Sequence, residues 1–311
     1  MCILILVLFL GSVYQESQRR RLRSADREGK ENVYLARSNE SFAEPLEWNV
    51  LSDEGFFHHA YGVINGCTPG QHSLRRVTDH FASDWECREL LEATEMSMRN
   101  LFHRGGTTSL APCHKQSQER LGVKGALIFE YLLSKARLQV MRDYNLTVLY
   151  TSGALLTRLM GNPPQDKWDV DPNHVYWNAH VDKANIPTYD YSALLYLNSH
   201  SSALADDSTP ATSSQSQLDG FLGGEFEFVD DDVNRVVEPR VGRLVTFTSG
   251  PENLHRVRKV TKGSRYVLAI WFTCSEKHKY VNDDDDGKPS AAEEQVVAQT
   301  PAYLCVGPRS C

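Results

Sequence analysis

The second half of the chain alternates between apolar and polar residues at a spacing of two. From residue 174 onward the alternation recurs in short runs separated by turn residues, namely HVYWNAHVD, YSALLYLN, GEFEFV, RLVTFTS and RYVLAIWF. Successive side chains of a β-strand point to opposite faces, so each run predicts a strand with one buried face. Several short strands in succession indicate an antiparallel sandwich or barrel.

Upstream of these runs, apolar residues recur at helical spacing in two stretches. The first, residues 77–106, has Asp79 as its predicted N-cap and Gly105-Gly106 as its stop. The second, residues 125–145, places four side chains near one face: Leu127, Tyr131, Leu132 and Leu138. We therefore expect two amphipathic helices that brace a sheet, and a fold that is mainly β with flanking helices.

These patterns divide the chain into five predicted segments. Residues 1–14 are an apolar start, residues 15–60 a polar stem that needs no fold, and residues 61–156 a helical support region. Residues 157–278 contain the alternating strands, and residues 279–311 form an acidic tail. The Ser-rich stretch 199–219 predicts a mobile surface loop, with a lid over a site as the alternative.

The charge of the chain argues against a nucleic-acid partner. Its formal net charge is −7 and its sequence pI is about 5.9, whereas binding to a phosphate backbone requires a basic face. One basic cluster, RRRLR at Arg19–Arg23, lies in a polar stretch. We expect this cluster to flank a membrane or to be solvated rather than to bind nucleic acid.

The apolar start, MCILILVLFLGSVY, contains about a dozen apolar residues, fewer than the roughly 20 that a helix needs to cross a bilayer. Its length fits a signal peptide, but no positive residues precede it and the arginines follow it. Arginines in that position favour the cytoplasmic side, which conflicts with export of the rest. We expect a signal or a truncated signal anchor that attaches the chain to a membrane as a single-pass type II protein.

Cysteines and glycosylation sequons bear on the compartment. Seven cysteines occur, and the six that follow the apolar start lack the paired spacing of a zinc site. Sequons occur at Asn39 (NES) and Asn145 (NLT). Together with the apolar start, these features predict disulfide bonds, glycosylation and a catalytic domain in the lumen of the secretory pathway, that is, the endoplasmic reticulum. Cys305 and Cys311 are candidates for holding the end of the tail.

Three residues form a candidate metal site. His180 and Asp182 lie two residues apart, so on a strand both side chains point to the same face. His255 follows the predicted strand 244–248 and a turn at Gly250-Pro251. Two histidines and one carboxylate form the facial triad that holds Fe(II) in non-haem oxygenases. Taken alone, an H-x-D among 11 histidines is more often a structural feature of the surface.

An arginine follows at a position that suggests an anion. Arg265 opens the run RYVLAIWF, ten residues after His255, and on a strand it shares a face with Val267, Ala269 and Trp271. A charged residue that begins an apolar inward row is costly unless an anion meets it. The pattern therefore predicts a bound carboxylate. Core packing is the expected role of Trp177 and Trp271, with shaping of the pocket as the alternative.

Several motifs together resemble the catalytic domain of Fe(II)/2-oxoglutarate dioxygenases of the prolyl-hydroxylase-like branch. They are HVD, YSALLYLN, GGEFEFV, EPRVGRLVTFTSGPENLHRV and GSRYVLAIWFTC. The resemblance covers residues 157–278, and GCTPGQHSLRRVTDH extends it toward the N-terminus. It implies a double-stranded β-helix, or jelly roll, with helices packed on one side. The Ser-rich stretch and the acidic tail depart from the family pattern.

The resemblance also implies the roles of five residues. His180, Asp182 and His255 would hold Fe(II). Arg265 would bind the distal carboxylate of 2-oxoglutarate, because a planar guanidinium matches a carboxylate in two places. Tyr196 would make a second contact to that carboxylate, with filling of the barrel as the alternative.

The activity implied is hydroxylation of a prolyl or other residue in a polypeptide, with release of succinate and CO2 and with ascorbate as reductant. Two alternatives remain. One is a jelly-roll binding module without turnover, which the presence of all metal ligands and Arg265 disfavours. The other is a zinc hydrolase with the same ligands, for which the sequence offers no separate general-base motif.

Overall fold

The computed structural model describes residues 32–51, 64–67, 72–99, 107–111, 119–161, 176–201 and 220–280. The apolar start, Arg19–Arg23, residues 202–219 of the Ser-rich stretch and the tail beyond Tyr280 lie outside these ranges. The predictions made for those segments therefore stay predictions. Within the described ranges, no helix has both the length and the apolar composition required to cross a bilayer.

Two β-sheets form the centre of the fold. The larger sheet has the order β2 (Leu46–Leu51), β3 (His72–Thr78), β10 (Leu244–Thr248), β6 (Tyr191–Tyr196), β12 (Val260–Thr273), β5 (Tyr150–Met160) and β4 (Thr107–Leu110), and β7 (Phe221–Gly223) also pairs with β12. The smaller sheet has the order β1 (Asn32–Ala36), β9 (Asn234–Val237), β8 (Phe226–Val229) and β11 (His255–Val257). The parallel pair is β1–β9, and the other described pairs are antiparallel. The mainly β jelly-roll class is confirmed.

Three helices accompany the sheets: α1 (Asp84–Met98), α2 (Gly122–Asp143) and the single turn α3 (Asp182–Asn185). Short 3-10 turns lie at Pro251–Asn253 and Glu276–His278. The buried faces of α1 and α2 share one apolar cluster with the larger sheet. The two helices thus support that sheet, as predicted.

Strand β12 separates two apolar clusters. Its residues Tyr266, Leu268, Ile270 and Phe272 pack in the cluster that contains the helices. Val267 and Ala269 pack in a second cluster with residues of the smaller sheet. The alternation read from RYVLAIWF is therefore confirmed, because β12 lies between the helices on one side and the smaller sheet on the other.

Helix α1 begins later than predicted. Ser83 is its N-cap and forms a capping box with Glu86: Ser83 N donates to Glu86 Oε2 over 2.6 Å, and Glu86 N donates to Ser83 Oγ over 3.2 Å. Asp79 was predicted as the N-cap, and this is wrong because the residues before it extend strand β3. Asp79 instead pairs with Arg243 at 2.6 Å. The predicted stop at Gly105-Gly106 lies outside the described residues.

Helix α2 agrees with the second helical pattern in three of the four residues named for its apolar face. Tyr131, Leu132 and Leu138 are buried, whereas Leu127 is 46% exposed. The predicted position of Leu127 is therefore wrong. Its neighbour Ile128 is fully buried in the cluster shared with the sheet, so the buried face of the helix is centred one residue further along.

The predicted division of the chain needs two corrections. Strands β1 and β2 lie inside residues 15–60 and pair with β9 and β3, so the prediction that this segment needs no fold is wrong for them. The boundary set at residue 157 falls inside β5 (Tyr150–Met160). Both errors arise because strand pairing between distant segments is not visible in local composition.

A disulfide bond joins Cys67 to Cys274, which lie 207 residues apart. The prediction of a disulfide is confirmed for this pair. Cys87 is a free, buried thiol, and burial raises its pKa to about 12. Cys2, Cys113, Cys305 and Cys311 lie outside the described residues.

Candidate metal centre

The three predicted metal ligands come together. His180 Nε2 and His255 Nε2 each lie 3.7 Å from Asp182 Oδ1, and one ligand atom from each residue lies within 4.8 Å of the others. The prediction that His180 and Asp182 share one strand is wrong. His180 forms an isolated bridge with His255, and Asp182 begins α3. The bridge, rather than a common strand face, brings the two histidines side by side.

Both imidazole rings are oriented by the backbone. His180 Nδ1 lies 3.0 Å from the Asn178 carbonyl oxygen, and His255 Nδ1 lies 2.8 Å from the Asn253 carbonyl oxygen. A carbonyl oxygen only accepts, so each Nδ1 carries the proton and each Nε2 keeps its lone pair for a metal. The ring centroids lie 4.4 Å apart. The centre thus presents two nitrogen donors and one carboxylate oxygen from a common side.

A serine pair holds the carboxylate. Ser192 Oγ donates to Asp182 Oδ2 over 2.6 Å, and Ser192 Oγ lies 2.8 Å from Ser249 Oγ. Both serines are buried. Because Oδ2 is occupied by this hydrogen bond, Oδ1 remains for the histidine side. Sequence reasoning missed both serines, since neither belongs to a motif that marks it as a partner of a metal ligand.

The two histidines differ in exposure. The His180 side chain is 37% exposed, whereas the His255 side chain is 5% exposed. Phe226 and Phe247 flank His255, each with its ring centroid 5.0 Å away. Burial, followed by the nearby His180, lowers the pKa of His255 to about 4. His255 is therefore neutral at physiological pH, which is the form that binds a metal.

Arg265 lies in a second, fully buried polar site. It is 2% exposed, and its Nε and Nη2 atoms have no hydrogen-bond partner among the described residues. Among the described residues, no hydrogen-bond partner reaches the buried Tyr196 hydroxyl either. The Arg265 guanidinium carbon lies 5.2 Å from the Tyr196 ring centroid. Burial lowers the pKa of Arg265 and raises that of Tyr196. Such orphaned donors fit an anionic ligand.

The double glycine before β8 makes room for this arginine. Gly223 has a φ of +72° and Gly224 a φ of +71°, in the left-handed region that favours glycine. A Cβ on Gly224 would lie 2.9 Å from Arg265 Cδ, and one on Gly223 would lie 2.1 Å from the Lys259 carbonyl oxygen. Both positions therefore require glycine.

A groove of about 480 Å³ lies beside Asp182 and passes residues 152–155 of β5. Gly153, Tyr189 and Trp271 also line it, whereas neither triad histidine is among its described lining residues. The Tyr189 and Trp271 rings are stacked, with centroids 5.3 Å apart and planes within 9°. Trp271 lines the groove and also packs against the second apolar cluster, so the expected core packing is confirmed for it. Trp177 instead contacts Tyr176 and Lys259.

Comparison with known proteins places this geometry in a family. The profile described as "2OG-Fe(II) oxygenase superfamily" matches residues 172–273. The protein from Rattus norvegicus named "2-oxoglutarate and iron-dependent oxygenase domain-containing protein 3" is 31% identical over 232 residues, which is 69% of this chain and 67% of that protein. The Xenopus tropicalis protein of the same name is 37% identical over 147 residues, 46% of this chain and 39% of that protein.

Human "Prolyl 3-hydroxylase 2" is 29% identical over 232 residues, 64% of this chain and 29% of that protein. The matched part of this chain thus spans between 29% and 67% of the length of these three relatives. Fe(II) and 2-oxoglutarate are the metal and the cosubstrate that the family description names. The two-histidine, one-carboxylate donor set fits Fe(II), and the buried Arg265 Nε and Nη2 donors, which have no partner among the described residues, fit 2-oxoglutarate.

The resemblance found in the sequence motifs is therefore confirmed, and the chain belongs to the 2OG-Fe(II) oxygenase superfamily.

Proposed function

We propose that this protein is an Fe(II)- and 2-oxoglutarate-dependent dioxygenase that hydroxylates a prolyl or other residue in a polypeptide. One observation carries the proposal. A His–Asp–His cluster and a buried guanidinium with unpaired donors lie in the space between the two sheets of one jelly roll. A jelly roll that bound neither metal nor cosubstrate would need neither ligands oriented for a metal nor a buried charge with unpaired donors.

His180, Asp182 and His255 would hold Fe(II) through two Nε2 atoms and Oδ1. With the metal, 2-oxoglutarate and oxygen bound, the chemistry supplied is oxidative decarboxylation of 2-oxoglutarate to succinate and CO2, coupled to replacement of a substrate C–H bond by C–OH. Arg265 would bind the distal carboxylate, and the Tyr196 hydroxyl would donate to the same group. Burial of both residues excludes water, which strengthens a charge-assisted pair.

A polypeptide is the substrate class that the groove supports. Asp182, one of the three metal ligands, lines the groove, and so do the stacked rings of Tyr189 and Trp271. Aside from Asp182, the described residues that line the groove include no ionisable acid or base other than tyrosine, so an uncharged residue such as proline suits this groove. The name of one relative, prolyl 3-hydroxylase 2, supports the same substrate class. Ascorbate is proposed as the reductant that keeps the iron in its Fe(II) form.

Residence in the lumen of the secretory pathway is part of the proposal. The Cys67–Cys274 disulfide supports an oxidising compartment. The asparagines of both sequons, Asn39 and Asn145, are exposed, as glycosylation requires. Attachment through the apolar start remains a prediction for residues outside the described part of the chain.

Metal binding and turnover can be tested together. We expect the wild-type protein to bind Fe(II) without oxygen and, with oxygen, 2-oxoglutarate and ascorbate, to form succinate even in slow turnover without substrate. Asp182→Ala should lose both properties and stay folded. Glu276→Ala, which removes an exposed carboxylate, should match the wild type. Fe(II) and 2-oxoglutarate binding without succinate formation, even with varied lumenal peptides, would favour the binding module.

The compartment has its own test. After expression of the full chain in mammalian cells, glycosidase treatment should lower the apparent mass, and Asn39→Gln and Asn145→Gln should each reduce the shift. An unchanged mass, together with free thiols at Cys67 and Cys274, would indicate a reducing compartment instead.

A further inference from the structure

Arg75 is a fully buried cation in strand β3, remote in sequence from the metal ligands. Each of its three nitrogens donates to oxygen. Nη1 and Nη2 bind the two carboxylate oxygens of Asp230 at 2.7 Å each, Nε binds Asn253 Oδ1 at 2.5 Å, and Nη2 also binds the Glu252 carbonyl oxygen at 2.9 Å. Its guanidinium carbon lies 4.0 Å from the Phe228 ring centroid. These contacts fix both the position and the plane of the guanidinium.

The residues that Arg75 grips form the turn before His255. The Asn253 side-chain amide donates to the Thr248 carbonyl oxygen over 2.8 Å, and its backbone carbonyl accepts from His255 Nδ1 over 2.8 Å. Arg75 Nε donates to Asn253 Oδ1, and Arg75 Nη2 donates to the Glu252 carbonyl oxygen. The Asn253 residue, whose carbonyl orients the His255 ring, is thus held through both its side chain and the preceding peptide.

Arg75 also joins the two sheets at this point. Strand β3 belongs to the larger sheet, whereas Asp230 directly follows β8 of the smaller sheet. Phe228 of β8 is the residue paired with His255 in the β8–β11 ladder. The same guanidinium therefore sets the separation of the sheets where His255 enters and the orientation of the turn that carries it.

We propose that Arg75, held by Asp230, is a positioning residue for the metal centre: it orients His255 through Asn253. This inference rests on the proposed function, because it takes His255 to be a metal ligand. Asp230 and Asn253 are parts of the same arrangement, and neither belongs to the cluster of candidate metal ligands. In other proteins, loss of an outer partner of a metal-binding histidine weakens metal affinity by roughly 10- to 100-fold.

The chain offers a matched control in a second buried pair, Arg243 and Asp79. Both side chains are fully buried, and Arg243 Nε and Nη2 bind the Asp79 carboxylate oxygens at 2.6 and 3.1 Å. Arg243 also donates to the carbonyl oxygens of Arg37, Glu40 and Glu238, none of which belongs to the metal centre. Weakening this pair should destabilise the fold without disturbing His255.

The experiment compares Arg75→Lys with Arg243→Lys, and Asp230→Asn with Asp79→Asn, in the full chain. Co(II) serves as the probe, because its affinity is measured by titration and its visible absorption reports the coordination geometry. Circular dichroism and thermal unfolding identify the folded variants, and titrations are run well below each unfolding temperature.

We expect Arg75→Lys and Asp230→Asn to bind Co(II) roughly 10-fold or more weakly and to change its absorption spectrum. Arg243→Lys and Asp79→Asn should lose comparable thermal stability yet keep the wild-type affinity and spectrum. If Arg75→Lys does not fold, the milder Asp230→Asn decides. Wild-type affinity and spectrum in that variant would overturn the positioning role alone, whereas a wild-type protein that binds no Co(II) would overturn the proposed function and this role with it.

Discussion

Two buried arginines mark two regions between the sheets, and they differ in what the protein gives them to bind. Behind the metal ligands, every nitrogen of Arg75 donates to a protein oxygen, and Asp230 balances its charge. At the cosubstrate site, Arg265 is as deeply buried, yet Nε and Nη2 have no partner among the described residues. The first region is completed by the chain itself, whereas the second is arranged for a ligand that brings its own negative charge.

The two arginines should contribute to the free energy of unfolding with opposite signs. Removing one member of a satisfied buried ion pair leaves unpaired polar groups and is strongly destabilising. Replacing a buried charge that has no partner with an apolar group instead removes an uncompensated desolvation cost, so it should be neutral or stabilising. Arg265 therefore costs stability in the ligand-free protein, and Arg75 contributes to it. Functional sites commonly retain such a cost because the unsatisfied group is what recognises the ligand.

The same substitution at both arginines should separate the two regions most clearly. In the protein without metal or 2-oxoglutarate, we expect Arg75→Met to lower the free energy of unfolding by about 3–5 kcal/mol and Arg265→Met to leave it unchanged or raise it by about 1–4 kcal/mol. Urea unfolding followed by circular dichroism gives both values. Equal losses at both positions would mean that Arg265 is a structural residue.

A pH series probes the metal region alone. Since the pKa of His255 is about 4 in the folded protein, below the value of about 6.5 expected after unfolding, the unfolded state takes up a proton first as the pH falls. The contribution of His255 to the free energy of unfolding is therefore complete above about pH 6.5 and is lost as the pH falls toward 4. We expect the metal-free protein to lose about 2 kcal/mol between pH 7.5 and pH 5 through this group.

His255→Gln provides the comparison, because glutamine has no proton to gain in this range. The difference between the pH profiles of the two proteins isolates the contribution of His255 from that of the other titrating groups. Parallel profiles would show that His255 is not the buried, neutral imidazole described above.

Tyr196 should show the smallest effect and sharpen the boundary of the cosubstrate site. Its hydroxyl has no protein partner among the described residues, so Tyr196→Phe should not lower stability, but it should raise the apparent 2-oxoglutarate requirement a few-fold, or about 0.5–1 kcal/mol. Tyr266→Phe is the control, because the Tyr266 hydroxyl donates to Glu95 on the helix side of β12. That variant should lose stability and keep the wild-type 2-oxoglutarate requirement.

The cosubstrate region was more accessible to sequence reasoning than the metal region behind it. The pattern that begins at Arg265 lies within a single strand. Because that strand is buried between the helices and the second sheet, its side chains alternate regularly, and a charged residue on an inward-facing position is easily recognised. The triad residues were also found, but through the wrong local structure, since His180 is aligned by a bridge to a residue 75 positions away in the sequence. Such long-range pairing leaves no periodic signal.

Arg75 and Asp79 illustrate what could not be read in advance. Arg75 sits in HSLRRVT, where nothing distinguishes it from the adjacent Arg76, which is partly exposed and pairs with Glu47 and Asp143. Asp79 resembled an N-cap, although the capping box S-x-x-E at Ser83 and Glu86 was present four residues later. The strands β1 and β2 were missed because they are short, the segment around them is polar, and their pairing partners lie far along the chain.

The most direct test of the central claim is a titration of 2-oxoglutarate into the Fe(II)-loaded protein without oxygen. We expect the wild type to bind 2-oxoglutarate, Arg265→Ala to bind it roughly ten-fold or more weakly, and Arg265→Lys to fall between, because lysine keeps the charge but loses the planar fork. Fe(II) affinity should be the same in all three proteins. Wild-type 2-oxoglutarate affinity in Arg265→Ala, or no binding by the wild type, would contradict the claim that this buried, unpaired guanidinium is the cosubstrate site.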